Sequence, residues 1–251
     1  FRSGYHDGKA TVLSLNPDGS VGSIVDGVFD KGYGSVAERN FRPHVTCTRR
    51  TPDGKYVMSV DNGIDQVRIY RFTEKEQKLK QVDAIRCDLE SAPRHFRFSA
   101  DGRFIYLIYE LKTKIDVFSY KTGERAPIIE KIQTVSTTST ENPGVMTAAC
   151  AMRLSWDQKY LYCSNAGENT VSVFSRDEET GLLTRLCCLP VSGEYPKDIA
   201  VFPDSRHIVS VNHESGSLSF FTVDYEKGLM VMSGRSIPVN EPNCCAIVKI
   251  R

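Results

Sequence analysis

Apolar and polar residues alternate along this chain in short bursts, and almost nowhere do the apolar ones recur at the 3.6-residue spacing of an amphipathic helix. Four stretches superpose without gaps: TPDGKYVMSVDNGIDQVRIYRF from Thr51, SADGRFIYLIYELKTKIDVFSY from Ser99, SWDQKYLYCSNAGENTVSVFSR from Ser155 and FPDSRHIVSVNHESGSLSFFTV from Phe202. Each has Asp in third place (Asp53, Asp101, Asp157, Asp204) and a basic residue two later (Lys55, Arg103, Lys159, Arg206). An apolar run, a polar break and a second alternating run follow. The Asp residues are spaced by 48, 56 and 47 positions. A period of this size marks a repeated supersecondary unit.

Within a unit the pattern predicts strand, turn and strand. Asp-Gly at 53–54 and 101–102 is a turn pair, because glycine enters positive φ without steric cost. The β-branched and aromatic runs after it suit strands, and the polar breaks Asp61-Asn62-Gly63 and Asn165-Ala166-Gly167 predict the next turn. A strand candidate precedes each Asp (His95–Phe98, Ile199–Phe202), and a fourth follows the second run (Leu183–Leu186). Four strands in a unit of roughly 50 residues predict an all-β chain, a β-propeller of four-stranded blades.

The expected layout is one propeller domain over 1–251. It comprises a partial blade at 1–40, blades at about 41–90, 91–146, 147–193 and 194–240, and a closing inner strand at 241–251. The partial blade holds Ala10–Leu15, which matches Gln66–Arg71, and Glu241–Val248 supplies only an inner strand. Two arrangements accommodate this: five blades closed by the C-terminal strand, or a portion of a larger propeller, which the mid-unit start at Phe1 favours. The Ser- and Thr-rich stretch Thr134–Thr147 accounts for the longest spacing and is expected as a surface loop.

Composition adds exclusions. With 32 Lys+Arg against 31 Asp+Glu in 251 residues, the net charge of +1 gives no bulk attraction to nucleic acid or membrane. The apolar run Phe104–Tyr109 is far short of the roughly 20 residues that cross a bilayer. Eight cysteines in a chain of this length, two pairs of them adjacent (Cys187-Cys188, Cys244-Cys245) and none in C-x-x-C spacing, predict reduced, mostly buried thiols in a cytoplasmic protein. Nucleophile-elbow, P-loop and H-E-x-x-H motifs are absent. Trp156-Asp157 occurs once, at a turn, and is read as coincidental.

The segment Ala92–Phe104 with Tyr109-Glu110-Leu111 resembles the lactonase family of seven-bladed propellers, as do Thr51–Gly54, Ala151–Ser155 and Tyr195-Pro196-Lys197-Asp198. That family includes the propeller-type 6-phosphogluconolactonases and the carboxymuconate cyclases. The resemblance implies a five-blade portion of a seven-bladed fold. It also implies a site of one His, two Arg and one Glu: Arg94 in Pro-Arg-His, Glu110 in Tyr-Glu-Leu, Arg153 in Met-Arg-Leu-Ser, and either His44 or the position of Thr46 for the His. Thr46 lies seven before the turn Asp, in step with Arg94; His44 lies nine before it and keeps strand parity, and Pro43-His44 mirrors Pro93-Arg94.

Comparison across the repeat singles out two positions. Seven before the turn Asp stand Thr46, Arg94, Cys150 and Lys197; nine after it stand Asn62, Glu110, Ala166 and His213. A fold that brings these to one face gathers cations, a carboxylate and imidazole. Lactone hydrolysis needs such groups: a base for water (His44 or Glu110), a donor for the oxyanion (Arg94 or Arg153), and Lys197, His213 and Thr46 to bind substrate. The expected partner is a small sugar lactone, with no metal, no cofactor, no nucleic acid and no membrane. The leading expectation is hydrolysis of 6-phospho-D-glucono-1,5-lactone. The competing ones are another lactone or muconate-type activity of the same family, and a non-enzymatic propeller that binds a partner at its mouth.

Overall fold

The computed structural model describes residues 1–34, 40–140 and 146–248, and every helix or strand among them is a β-strand. The first sheet has three: β1 (Arg2–Gly4), β2 (Lys9–Leu15) and β3 (Val21–Phe29). The second has four: β4 (Val45–Arg50), β5 (Val57–Asp61), β6 (Gln66–Thr73) and β7 (Lys78–Arg86). The third consists of β8 (Pro93–Phe98), β9 (Phe104–Tyr109), β10 (Lys114–Lys121) and β11 (Ile128–Ser136). The fourth consists of β12 (Ala148–Leu154), β13 (Tyr160–Ala166), β14 (Thr170–Arg176) and β15 (Leu183–Pro190). The fifth is β16 (Pro196–Val201), β17 (His207–Asn212), β18 (Ser217–Asp224) and β19 (Leu229–Met232), with β20 (Ile237–Pro238) also on β18. Each sheet is an up-and-down meander, the all-β blade construction that the repeat predicts.

The repeated Asp builds the turn into each second strand. Thr51, Ser99 and Ser155 donate their hydroxyls to Oδ1 of Asp53, Asp101 and Asp157 at 2.5 Å. The amides of Lys55, Arg103, Lys159 and Arg206 reach the Oδ1 of their own unit's Asp at 3.0, 3.0, 3.2 and 3.0 Å. The residue after each Asp turns left-handed: Gly54 (φ 70°), Gly102 (φ 72°), Gln158 (φ 64°) and Ser205 (φ 58°). In the fourth unit Phe202 replaces the hydroxyl residue, and the His207 ring bonds to Asp204.

Contacts divide the chain into two compact units, Phe1–Tyr109 with Ser119–Glu130, and Glu110–Phe118 with Lys131–Arg251. In the first, Val12, Val57, Tyr70 and Leu79 pack together. In the second, Tyr162, Val171 and Val173 of one sheet pack on Ile199, Ile208 and Phe221 of the next. The second strands lie deepest: every residue of β5 and β9 is buried, and β9 reads as a continuous apolar run.

The polar break Asp61-Asn62-Gly63 leads into the turn it predicts, with Asp61 ending β5 and both Asp61 and Asn62 0% exposed. Two expectations are corrected. The Thr134–Thr147 stretch is not a surface loop throughout. Thr134–Ser136 finish β11, and Thr137 and Thr138 are buried, with the Thr137 carbonyl accepting from Asn165 Nδ2 and Ser172 Oγ; residues 141–145 lie outside the described residues. Residues 241–248 form no strand. Glu241 (φ 42°) repeats the left-handed backbone of Ala92 (φ 51°) and Tyr195 (φ 56°) just before a proline, yet no ladder partner meets the segment among the described residues. The Cys245 amide bonds to the Asp198 carboxylate instead, at 3.0 Å.

Candidate active site

The leading strands β4, β8, β12 and β16 all begin with the same irregularity. Pairing with the following strand skips a residue between Val45 and Cys47, Pro93 and His95, Ala149 and Ala151, and Pro196 and Asp198. The residues skipped are Thr46, Arg94, Cys150 and Lys197, the four that stand seven before the turn Asp. A bulge releases its residue from the ladder and re-aims the side chain. The repeat thus presents these four positions by construction, and only their chemistry varies.

Two polar latches fix where the bulges sit. Asp65, itself left-handed (φ 52°), accepts from the amides of Glu90 at 2.8 Å, Ser91 at 3.2 Å and Ala92 at 2.8 Å, and so pins the entry to β8 and Arg94. Asn169 (φ 58°) accepts from the Tyr195 amide at 2.9 Å and does the same for β16 and Lys197.

In the first unit, Thr46 and Arg94 are neighbours: the Thr46 hydroxyl donates to the Arg94 carbonyl at 2.7 Å. By register Thr46 is the counterpart of Arg94, whereas His44 lies outside β4. His44 is 4% exposed, stacked on Tyr5 with ring centroids 4.3 Å apart and edge-on to Phe41 at 6.1 Å. Its Nδ1 is 2.8 Å from the Tyr5 carbonyl, and its amide donates to Asp61 Oδ1 at 2.8 Å. Behind it lies a buried carboxyl pair. Burial, then a hydrogen bond to Asp30 and the charge of Asp30, push the Asp61 carboxyl well above the usual carboxylate range. Asp30 Oδ1 accepts from the Tyr70 hydroxyl at 3.1 Å and lies 3.4 Å from Arg68 Nη1.

In the second unit, Glu110 is 3% exposed, and its carbonyl accepts the Ala149 amide at 3.1 Å, next to the bulge at Cys150. Arg153, on β12, donates through Nη2 to both oxygens of Asp198, at 2.6 and 2.9 Å, and through Nη1 to the Met152 carbonyl at 3.1 Å. Lys197 is half-buried at its bulge. The His213 amide bonds to the Tyr195 carbonyl at 2.9 Å, and its ring Nδ1 is 3.2 Å from the Pro242 carbonyl. Asp198 is the residue that reasoning from sequence passed over, although it stands in the quoted Tyr195-Pro196-Lys197-Asp198. The available signal was the repeat: six before the turn Asp stand Cys47, His95, Ala151 and Asp198, and only the last is a carboxylate.

Among the described residues no group of three His, Cys, Asp or Glu side chains is placed to hold a metal ion, and no helix is long and apolar enough to cross a membrane.

The chain is 30% identical over 246 residues to an uncharacterised protein of Staphylococcus epidermidis, covering 97% of this chain and 70% of that one. It is 27% identical over 241 residues to a 6-phosphogluconolactonase of Bacillus subtilis, covering 96% and 67%. Its fold matches the periplasmic gluconolactonase of Pseudomonas aeruginosa with a TM-score of 0.87 at 28% identity, over 96% of this chain and 67% of that one. The chain therefore spans about two thirds of the length of these relatives. The family model described as "Lactonase, 7-bladed beta-propeller" matches residues 1–247. With its bladed four-stranded sheets and this match across nearly its whole length, the chain belongs to the lactonase family of seven-bladed β-propellers.

Proposed function

We propose that this protein hydrolyses a sugar lactone, and that its substrate is 6-phospho-D-glucono-1,5-lactone, opened to 6-phospho-D-gluconate. The observation that carries the reading is the placement of Arg94 and Lys197 at bulges, where a cation is aimed out of the ladder and not along it. In the reaction, water adds to the C1 carbonyl while a base takes its proton. The oxyanion is held by a donor, and collapse breaks the bond between C1 and the ring oxygen, which leaves with a proton. Glu110 is assigned as base, with His44 as the other candidate; Arg94 and Arg153 hold the oxyanion; Lys197, His213 and Thr46 bind substrate. The name of the Bacillus subtilis relative supports the phosphorylated substrate. A phosphorylated substrate suits a cytoplasmic enzyme of the pentose phosphate pathway.

A second reading, hydrolysis of the unphosphorylated lactone, is favoured by the Pseudomonas aeruginosa neighbour, which is a periplasmic gluconolactonase. It also draws on the Arg153–Asp198 pair, which sets one guanidinium against a carboxylate. The test of the catalytic reading is the rate of 6-phosphogluconolactone hydrolysis, corrected for spontaneous opening, in wild type, Glu110→Gln, His44→Ala and Thr46→Ala. Loss of at least about 10²-fold in Glu110→Gln supports Glu110 as base. An unchanged rate there with loss in His44→Ala moves the role to His44, and unchanged rates in both remove the base assignment.

A further inference from the structure

The Asp198 carboxylate is 7% exposed and is the meeting point of three donors from three parts of the second unit. Arg153 Nη2, from β12, lies 2.6 Å from Oδ1 and 2.9 Å from Oδ2. The Ile199 amide, on β16 itself, donates to Oδ1 at 2.9 Å. The Cys245 amide, from the segment after β20, donates to Oδ2 at 3.0 Å. The repeat does not require this carboxylate, since the equivalent residues are Cys47, His95 and Ala151. Arg97, which stands where Arg153 does in the repeat, also sends Nη1 to the carbonyl of the preceding residue, at 2.9 Å against 3.1 Å for Arg153. In Arg153, Asp198 adds a second anchor, and a guanidinium held at both Nη1 and Nη2 has little rotation left.

We propose that Asp198 is a positioning residue that aims Arg153 and, through the Cys245 amide, couples that aim to the seat of residues 242–248. The inference rests on the lactonase reading for its kinetic consequence and on geometry alone for the coupling. A fixed guanidinium meets the developing charge of a lactone without reorganising, and displacement by about an ångström can cost on the order of 10²-fold in rate. The same carboxylate holds the amide of Cys245, so its loss frees the backbone beside a half-buried thiol.

The experiment compares the full chain as wild type, Asp198→Asn, Arg153→Ala and the double variant on 6-phosphogluconolactone and on gluconolactone, after subtraction of the spontaneous rate. It also follows modification of Cys245 by a disulfide reagent, site by site, by mass spectrometry. Asp198→Asn is expected to lower kcat by at least about tenfold, to add less than about twofold in the Arg153→Ala background, and to speed labelling of Cys245 severalfold. An equal kcat loss in both backgrounds makes Asp198 a structural residue and overturns the positioning role, as does an unchanged kcat in Asp198→Asn. Unchanged labelling overturns the coupling. If wild type hydrolyses neither lactone above background, the lactonase reading fails, while the labelling arm still decides the coupling. Circular dichroism and melting of Asp198→Asn show whether it is folded; if it is not, Arg153→Lys takes its place, keeping the charge but losing the fork, with the same expected tenfold loss and the same overturning result.

Discussion

The buried pair Asp30–Asp61 predicts a stability that falls as pH rises through the mildly acidic range. Asp61 is 0% exposed and Asp30 6%. The Oδ2 atoms of both are enclosed and lack a donor among the described residues. The Arg68 guanidinium lies 3.4 Å from Asp30. The other groups around them are the Tyr70 hydroxyl and the amides of His44 and Gly63. A single proton on Asp61 gives the pair a donor, and it is burial, followed by the hydrogen bond to Asp30, that pushes the Asp61 carboxyl up. The folded chain thus keeps a proton that the unfolded chain releases near pH ~3.9. The contribution is full below that value and is lost as pH rises toward the folded value, at about 1.4 kcal/mol per pH unit while only the folded state is protonated. In Asp61→Asn the amide N–H takes the place of the carboxyl O–H as donor at every pH. Urea unfolding of both proteins at pH 5 and pH 6 is the assay, and the difference between them cancels every other titration. Wild type should lose about 1.4 kcal/mol relative to the variant across that step; parallel pH dependence of the two proteins would refute the shared proton.

Replacing Arg94 with Ala should lower kcat/KM by at least about 10²-fold, measured on the phosphorylated lactone, if it holds the oxyanion. Lys197→Ala should erode the preference for the phosphorylated over the unphosphorylated lactone and leave hydrolysis of the neutral one nearly unchanged, read as a ratio of kcat/KM values. Among the turn aspartates, Asp53→Ala should cost more stability than Asp157→Ala by about 1 kcal/mol, because Asp53 also accepts from the hydroxyls of Tyr120 and Thr122; denaturant midpoints rank the two. Burial opposes ionisation of Asp53, Asp101 and Asp204, but their hydroxyl, amide and side-chain donors outweigh it and hold each at about 2. Their contribution is present above pH ~4 and should be lost as pH falls toward 2, visible as a falling melting temperature.

Much of the fold was legible because a blade is a local object. The run Phe104–Tyr109 coincides with β9, Ala10–Leu15 lies within β2, and Leu183–Leu186 opens β15. These strands pair with sequence neighbours, and alternation with turn chemistry suffices to mark them. Burial of polar groups was not legible. Asp61 and Thr137 look like loop residues until partners far along the chain enclose them, and the Glu110 side chain looks solvated until the Ala149–Cys150 segment is laid against its backbone. The candidate positions were found because the repeat allows comparison, and the structure adds the bulge that distinguishes them. Asp198 escaped because its partners, Arg153 and Cys245, are 45 and 47 residues away, a pairing that no local pattern encodes. His44 and Thr46 differ in register: Thr46 is the residue skipped between Val45 and Cys47, and His44 lies before β4.

The central claim, a lactonase tuned to an anionic sugar lactone, is tested most directly by the ratio of kcat/KM for 6-phosphogluconolactone to that for gluconolactone, each corrected for the enzyme-free rate. Two charge-assisted hydrogen bonds to the phosphate, at roughly 1.5–3 kcal/mol each, predict a ratio of at least about 10². Equal hydrolysis of the two lactones, or none above background, would contradict it.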